Sequence, residues 1–305
     1  MVDIKEIKSI RITSFTKMLS SIHAILAFIV AVVLLITLII LEVTGTMPQF
    51  GLFKIVAGVG IPLIIIYPIA AFFITLAVSF FTVMIYNMLA SRIGGVELEL
   101  EGTQVTKIPV ISFALVLAGI EAIWAFVVGL FLVAVVTPVT TFASDIIPVI
   151  SSEIPKYLNT TNVTFPTGPT GASAGTEGIV LALLLIIGFP IMAFVFGFIG
   201  HALFAIFYNY IATRVSKIKL EFATVTGNLH ELKSVPVMPT ALAVAIVFAI
   251  FGLIQGILNM INYGIFYLVK DILGNFVEYF IVTALIAVIY NFLAPKIGRI
   301  RLGLE

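Results

Sequence analysis

Six stretches of the chain are apolar for long enough to cross a bilayer. They lie at about 19–41, 61–90, 111–136, 182–212, 239–262 and 274–294, where a membrane helix needs about 20 residues. Between some of them the pattern changes to a period of two. Val96-Glu97-Leu98-Glu99-Leu100-Glu101 is the clearest case and predicts a half-buried strand, with Val105 to Val110 returning antiparallel after Gly102. The last tail, Ile300 to Leu304, is predicted to pair with Ile7 to Thr13, which would close a ring and leave no exposed strand edge.

The spans do not end at random. Tyr86-Asn87, Tyr208-Asn209 and Tyr290-Asn291 each begin a Tyr-Asn-x-(Leu/Ile)-Ala-x-(Arg/Lys) pattern that closes every second apolar run, and an alternating tail follows each one. Aligned without gaps, Ile10-Arg11-Ile12-Thr13-Ser14-Phe15, Ile108-Pro109-Val110-Ile111-Ser112-Phe113 and Val235-Pro236-Val237-Met238-Pro239-Thr240 open the three units. The expected architecture is an all-α integral membrane protein of six transmembrane helices in three tandem parallel two-helix repeats. They would be related by a pseudo-threefold axis along the membrane normal, with short cytoplasmic β-ribbons. The repeats are residues 1–103, 104–228 with a long outer loop at 137–181, and 229–305.

Some apolar runs exceed one crossing. Residues 178–212 as one helix would be roughly 52 Å long against a core of about 30 Å. Breakers at Pro62, Pro68, Gly188, Pro190 and Gly274 therefore suggest that the excess bends into outer interfacial segments, including 263–273. The stretch from Phe142 to Leu158 reads as short helices on the outer surface.

Charge orients the chain. Of its 16 basic residues, only Lys54, Lys156 and Lys270 fall on the face opposite the tails. By the positive-inside rule this is a multi-pass cell-membrane protein with both termini cytoplasmic. Asn159 and Asn162 each satisfy the N-glycosylation sequon and would lie outside. A net charge of +1 argues against a nucleic-acid partner, and the absence of cysteine excludes thiol chemistry.

The first unit resembles an actinobacterial-type two-span transmembrane family classed as a domain of unknown function. Ile10-Arg11-Ile12-Thr13, Met18 and the ending Tyr86-Asn87-Met88-Leu89-Ala90-Ser91-Arg92-Ile93-Gly94-Gly95-Val96-Glu97-Leu98 carry the resemblance, over about residues 8–101. That family usually has one unit per chain, so this chain looks like a fused trimer and is expected to be a monomer. The resemblance implies a fold and carries over no functional residues.

Charged groups inside a span are costly and are the first places to look for function. His23, Glu121 and His201 fall at similar depth and form a candidate intramembrane layer: a proton or cation relay on one reading, helix-holding contacts on the other. Two histidines and a carboxylate also match a zinc donor set, although they lack close spacing. Gln255, Asn259 and Asn262 form a stripe on the fifth span with Glu278 expected opposite, either a polar vestibule or interhelical glue. The Tyr-Asn pairs read as interface anchors. No phosphate loop, nucleophile elbow or dinucleotide fingerprint is present, so no catalytic, cofactor or metal site is assigned. The leading expectation is a non-enzymatic scaffold or accessory subunit working in the lipid bilayer with other membrane proteins. A small proton, cation or solute transporter or channel, and a lipid-binding protein with Arg92 or Arg214 at a cleft mouth, are the alternatives.

Overall fold

A computed structural model describes residues 2–46, 51, 54–158 and 179–305, with side chains omitted at 55, 57 and 136–158. The elements run β1 (Asp3–Ile10), α1 (Ile12–Val43), α2 (Ile61–Ile93), β2 (Val96–Glu101), β3 (Gln104–Lys107), α3 (Val110–Leu158), α4 (Phe189–Phe207), β4 (Glu221–Thr226), β5 (Leu229–Ser234), α5 (Val237–Tyr263), α6 (Ile265–Ile297) and β6 (Arg301–Leu304). Six segments are long and apolar enough to cross a membrane: Ile12–Val43, Gly58–Ile93, Val110–Val135, Ile179–Val215, Val237–Tyr263 and Ile265–Ile297. Their outward surfaces suit lipid. Phe73 and Phe196, for instance, are each 63% exposed, which only an apolar solvent would favour. The chain is a multi-pass membrane protein.

Two compact units emerge, one of Met1–Val116 with His201–Glu305 and one of Leu117–Gly200. In the first, all six strands join one antiparallel sheet in the order β3-β2-β1-β6-β5-β4. The expected ribbon of β2 and β3 forms, turning at Gly102 with Glu101 opposite Gln104. Gly102 sits at φ +61, a left-handed conformation that glycine adopts without a Cβ clash. The expected closure also forms, with Ile7 opposite Leu304 and Ile10 opposite Leu302. The two ends of the sheet then meet. Gln104 bridges Lys219, Val105 N donates to Ile218 O at 2.9 Å, and Leu220 N donates to Thr103 O at 2.8 Å. Residues 218–220 lead directly into β4, so the sheet is a closed ring.

Its core is small and specific. Leu100, Val105 and Ile108 pack with Ala205, Tyr208 and Ala212 of the fourth span and with Ala243 and Val247 of α5. Met18 and Ile22 of α1 pack with Ile289, Tyr290 and Leu293 of α6. Alanine is frequent where helices meet, because lipid gives no hydrophobic drive between helices and close backbone approach replaces it.

None of the three expected breaks forms; at two of the places the continuous helix widens instead. Residues Ile55–Gly60 and Leu184–Gly188 are π-helical turns, placed directly before Pro62 and Pro190. A proline ring collides with the carbonyl four residues earlier, here Gly58 and Ile186. The wider turn makes room for it. By contrast α6 runs unbroken from Ile265 through Gly274, so 263–273 contains no separate interfacial segment. The reversal sits instead at Gly264, whose φ is +88. Residues 137–158, expected in an outer loop or short surface helices, continue α3 to Leu158. The sequons at Asn159 and Asn162 lie outside the described residues.

Candidate functional site

Each Tyr-Asn pair lies at the end of a span and bonds to the strand-to-helix junction ahead of the preceding span. Asn87 accepts from Ile10 N at 2.8 Å and donates to Ile10 O at 2.9 Å. Asn209 does the same to Ile108, at 2.8 Å both ways, and Asn291 to Val235, again at 2.8 Å both ways. Ile10, Ile108 and Val235 are the residues that the gapless alignment superposes. An asparagine amide is self-complementary to a peptide group, so one side chain satisfies both polar atoms of a residue at the strand-to-helix junction.

The tyrosines act inside the ladder. Tyr208 Oη donates to Val105 O at 2.6 Å and accepts from Ile218 N at 3.0 Å, while Val105 N bonds Ile218 O directly. One bond of that strand pair is thus direct and the other passes through the phenol. Tyr86 makes the matching bonds, to Ile7 O at 2.6 Å and from Val96 N at 3.1 Å. Tyr290 donates to Leu232 O and is bonded by the backbone of Ile300. All three phenols are buried, Tyr208 completely.

A second set of bonds was not foreseen. Glu97 N donates to Ser112 Oγ at 3.4 Å, Lys219 N to Thr240 Oγ1 at 3.2 Å and Arg301 N to Ser14 Oγ at 3.1 Å. Glu97, Lys219 and Arg301 hold the same place in the three tails, and they reach the starts of α3, α5 and α1 respectively. Ser14, Ser112 and Thr240 stood in the aligned openings, yet a hydroxyl near a helix start reads first as a local cap.

His23 is exposed on α1, with Nδ1 against Leu19 O of its own helix at 2.9 Å. Glu121 is exposed on α3 and lies over Gly197, where its carboxylate occupies the space that a larger side chain at 197 would need. His201 stands edge-on to Phe113, with ring centroids 5.8 Å apart. Among the described residues no three His, Asp or Glu side chains are arranged to hold a metal ion.

The polar stripe resolves differently from the expectation. Asn259 Nδ2 donates to Asp271 Oδ2 at 2.7 Å, and Asp271 is buried, with its carbonyl accepting from Asn275 at 2.8 Å. Gln255, Asn262 and Glu278 are exposed. The register follows from two glycines, Gly252 against the Asp271 backbone and Gly256 against Leu268. In that antiparallel register Glu278 lies level with residues near 246, roughly 14 Å along the axis from Gln255. Asp271 was passed over because it was assigned to an interfacial segment.

No protein-family model, curated protein or solved structure matches the chain, so the likeness of its first unit to a two-span family rests on the residues that carry it.

Proposed function

We propose that the protein is a non-enzymatic membrane scaffold or accessory subunit built from three parallel two-span repeats around a pseudo-threefold axis. Its β-ring and both termini face the cytoplasm. One observation carries the reading: the only motif written three times is used three times for the same structural bonds to backbone. The concentration of Lys and Arg on the sheet side supports the orientation. A ring that closes within one chain leaves no strand edge for a second copy, which supports a monomer. A frame held by repeated backbone clamps suits a part that positions lipids or other membrane proteins.

A transport reading has one observation in its favour. His23 and Glu121 are titratable, exposed and each 13 residues beyond the clamped residues Ile10 and Ile108, hence at like depth. Proton and cation flux into proteoliposomes decides between them, with wild type beside Glu121→Gln. The scaffold reading predicts tight vesicles with both proteins. Flux in wild type that the variant loses would replace it with a relay through the Glu121, His23 and His201 layer.

A further inference from the structure

Where β6 and α6 meet β1 and α1, the ring side of the molecule opens into a groove of about 1080 Å³. Its walls carry Arg11, Lys17, Arg299 and Arg301 against a single carboxylate, Glu231. Glu231 is fully engaged: Oε1 lies 2.8 Å from Arg301 Nε and Oε2 lies 3.6 Å from Arg299 Nη1. Arg299 Nε is buried with no hydrogen-bond partner among the described residues. Arg11 and Lys17 face no carboxylate there. The first turn of α1, with Ile12, Thr13 and Ser14, lines the same groove, and it has neither a side-chain cap nor an acidic residue. Free N–H groups and the positive end of a 32-residue helix therefore add to the cations.

The sister seams show that the charge of Arg11 and Lys17 is not needed to join two repeats. The hydroxyl bond recurs at all three seams, but the position of Arg11 is Pro109 and Pro236 in the other units, and that of Lys17 is Leu115 and Leu242. Among the described residues, this seam brings a guanidinium Nε without a partner, two cations that face no carboxylate and a helix start together around one groove. Unpaired buried donors are costly and call for an acceptor.

The depth of the groove identifies the acceptor. Lys17 lies within the second turn of a membrane-spanning helix, and Ala294 and Ile297 of α6 form apolar parts of the wall. A soluble anion would use the charge and leave that surface idle, whereas a lipid uses both. We propose that the groove binds the headgroup phosphate of an anionic phospholipid in the leaflet next to the sheet, with Arg11, Lys17 and Arg299 as its charge-assisted donors. This goes beyond the scaffold reading, and the flux result does not bear on it.

The test is electron-spin resonance of the full chain in phosphatidylcholine vesicles, comparing association of spin-labelled phosphatidylglycerol with that of spin-labelled phosphatidylcholine. Wild type should prefer the anionic lipid, and the Arg11→Gln/Lys17→Leu double variant should lose roughly tenfold of that preference. Arg92→Gln/Arg214→Gln, which removes two sheet-side cations away from the groove, should retain it. No preference in wild type, or equal loss in both variants, would overturn the site in favour of general surface charge. A parallel melting series in detergent separates the sources: stabilisation by millimolar inorganic phosphate equal to that by dispersed phosphatidylglycerol would overturn the lipid assignment. Circular dichroism of both variants checks that they fold.

Discussion

Tyr86, Tyr208 and Tyr290 make the same bond to the strand ahead of the preceding span, whereas at the other end of the spans the first and last hairpins close in different ways. Between α1 and α2, buried Glu42 accepts from Gly51 N at 2.7 Å. Between α5 and α6 a single Gly264 turns the chain, and Asn259 bonds Asp271 across the pair. The helix α3 simply continues to Leu158. The difference follows from what each end must satisfy. At the sheet end, helix termini and strand junctions expose peptide groups that must be paired near the membrane surface, and a closed ring requires one geometry at all three places. Away from the ring, the described hairpin ends share no repeated bond, and different residues suffice.

The sharpest way to break this contrast is to remove one clamp hydroxyl. Tyr208→Phe leaves Val105 O and Ile218 N without a partner in a fully buried position, at a cost of about 2–4 kcal/mol. Unfolding in nanodiscs should show it as the largest single-atom loss in the protein. Tyr86→Phe and Tyr290→Phe should fall in the same range. A clamp variant that unfolds like wild type would make the repeated bonds ornamental.

Next comes a steric comparison. A Cβ on Gly95 would collide with the Ile7 carbonyl of β1, so Gly95→Ala should cost about 1–3 kcal/mol. Gly58, far from the ring, has open space around it, and Gly58→Ala should be neutral or better. Melting temperatures of the pair check both.

A smaller and strictly local effect is expected from Asn259→Leu. Interhelical hydrogen bonds in membranes average about 0.6 kcal/mol, and loss of this one leaves Asp271 buried, so about 1 kcal/mol is expected. Amide hydrogen exchange should rise around Gly264 and stay unchanged in β1 to β6. Spread of the change into the ring would contradict the independence of the two ends.

The smallest effect belongs to the exposed pair of Lys107 and Glu99, 2.8 Å apart on the sheet. The bond to Glu99 raises the Lys107 pKa above the ordinary lysine value. A raised folded-state value contributes stability below the unfolded pKa and loses it only as pH rises through the folded one. Lys107→Gln should therefore show no pH-dependent difference from wild type between pH 6 and 9, in melts at about that range of buffers.

Much of this was legible because the constraint is written three times. The spans, the β2 and β3 ribbon and the pairing of β6 with β1 could be read from apolar length, period-two alternation and the aligned Tyr-Asn endings. The second closure was hidden, since the alternation of residues 218–222 announces a strand but not which strand it pairs with. The π turns were foreshadowed by Pro62 and Pro190, but sequence does not distinguish a widened helix from a broken one. Asp271 and the orphaned Arg299 were missed for a different reason: their significance lies in what stands opposite, which only the folded chain supplies.

The central claim is the closed ring, and the absence of cysteine from the chain allows a direct test. Gln104 and Lys219 form a bridge flanked by the Val105-to-Ile218 and Leu220-to-Thr103 bonds, a non-hydrogen-bonded pair with Cα atoms about 4.5 Å apart, within disulfide reach. In a Gln104→Cys/Lys219→Cys variant, mild oxidation in intact membranes should give an intramolecular disulfide in nearly every chain. Free thiols after oxidation, or cross-linked dimers in place of the internal bond, would show that the ring is open.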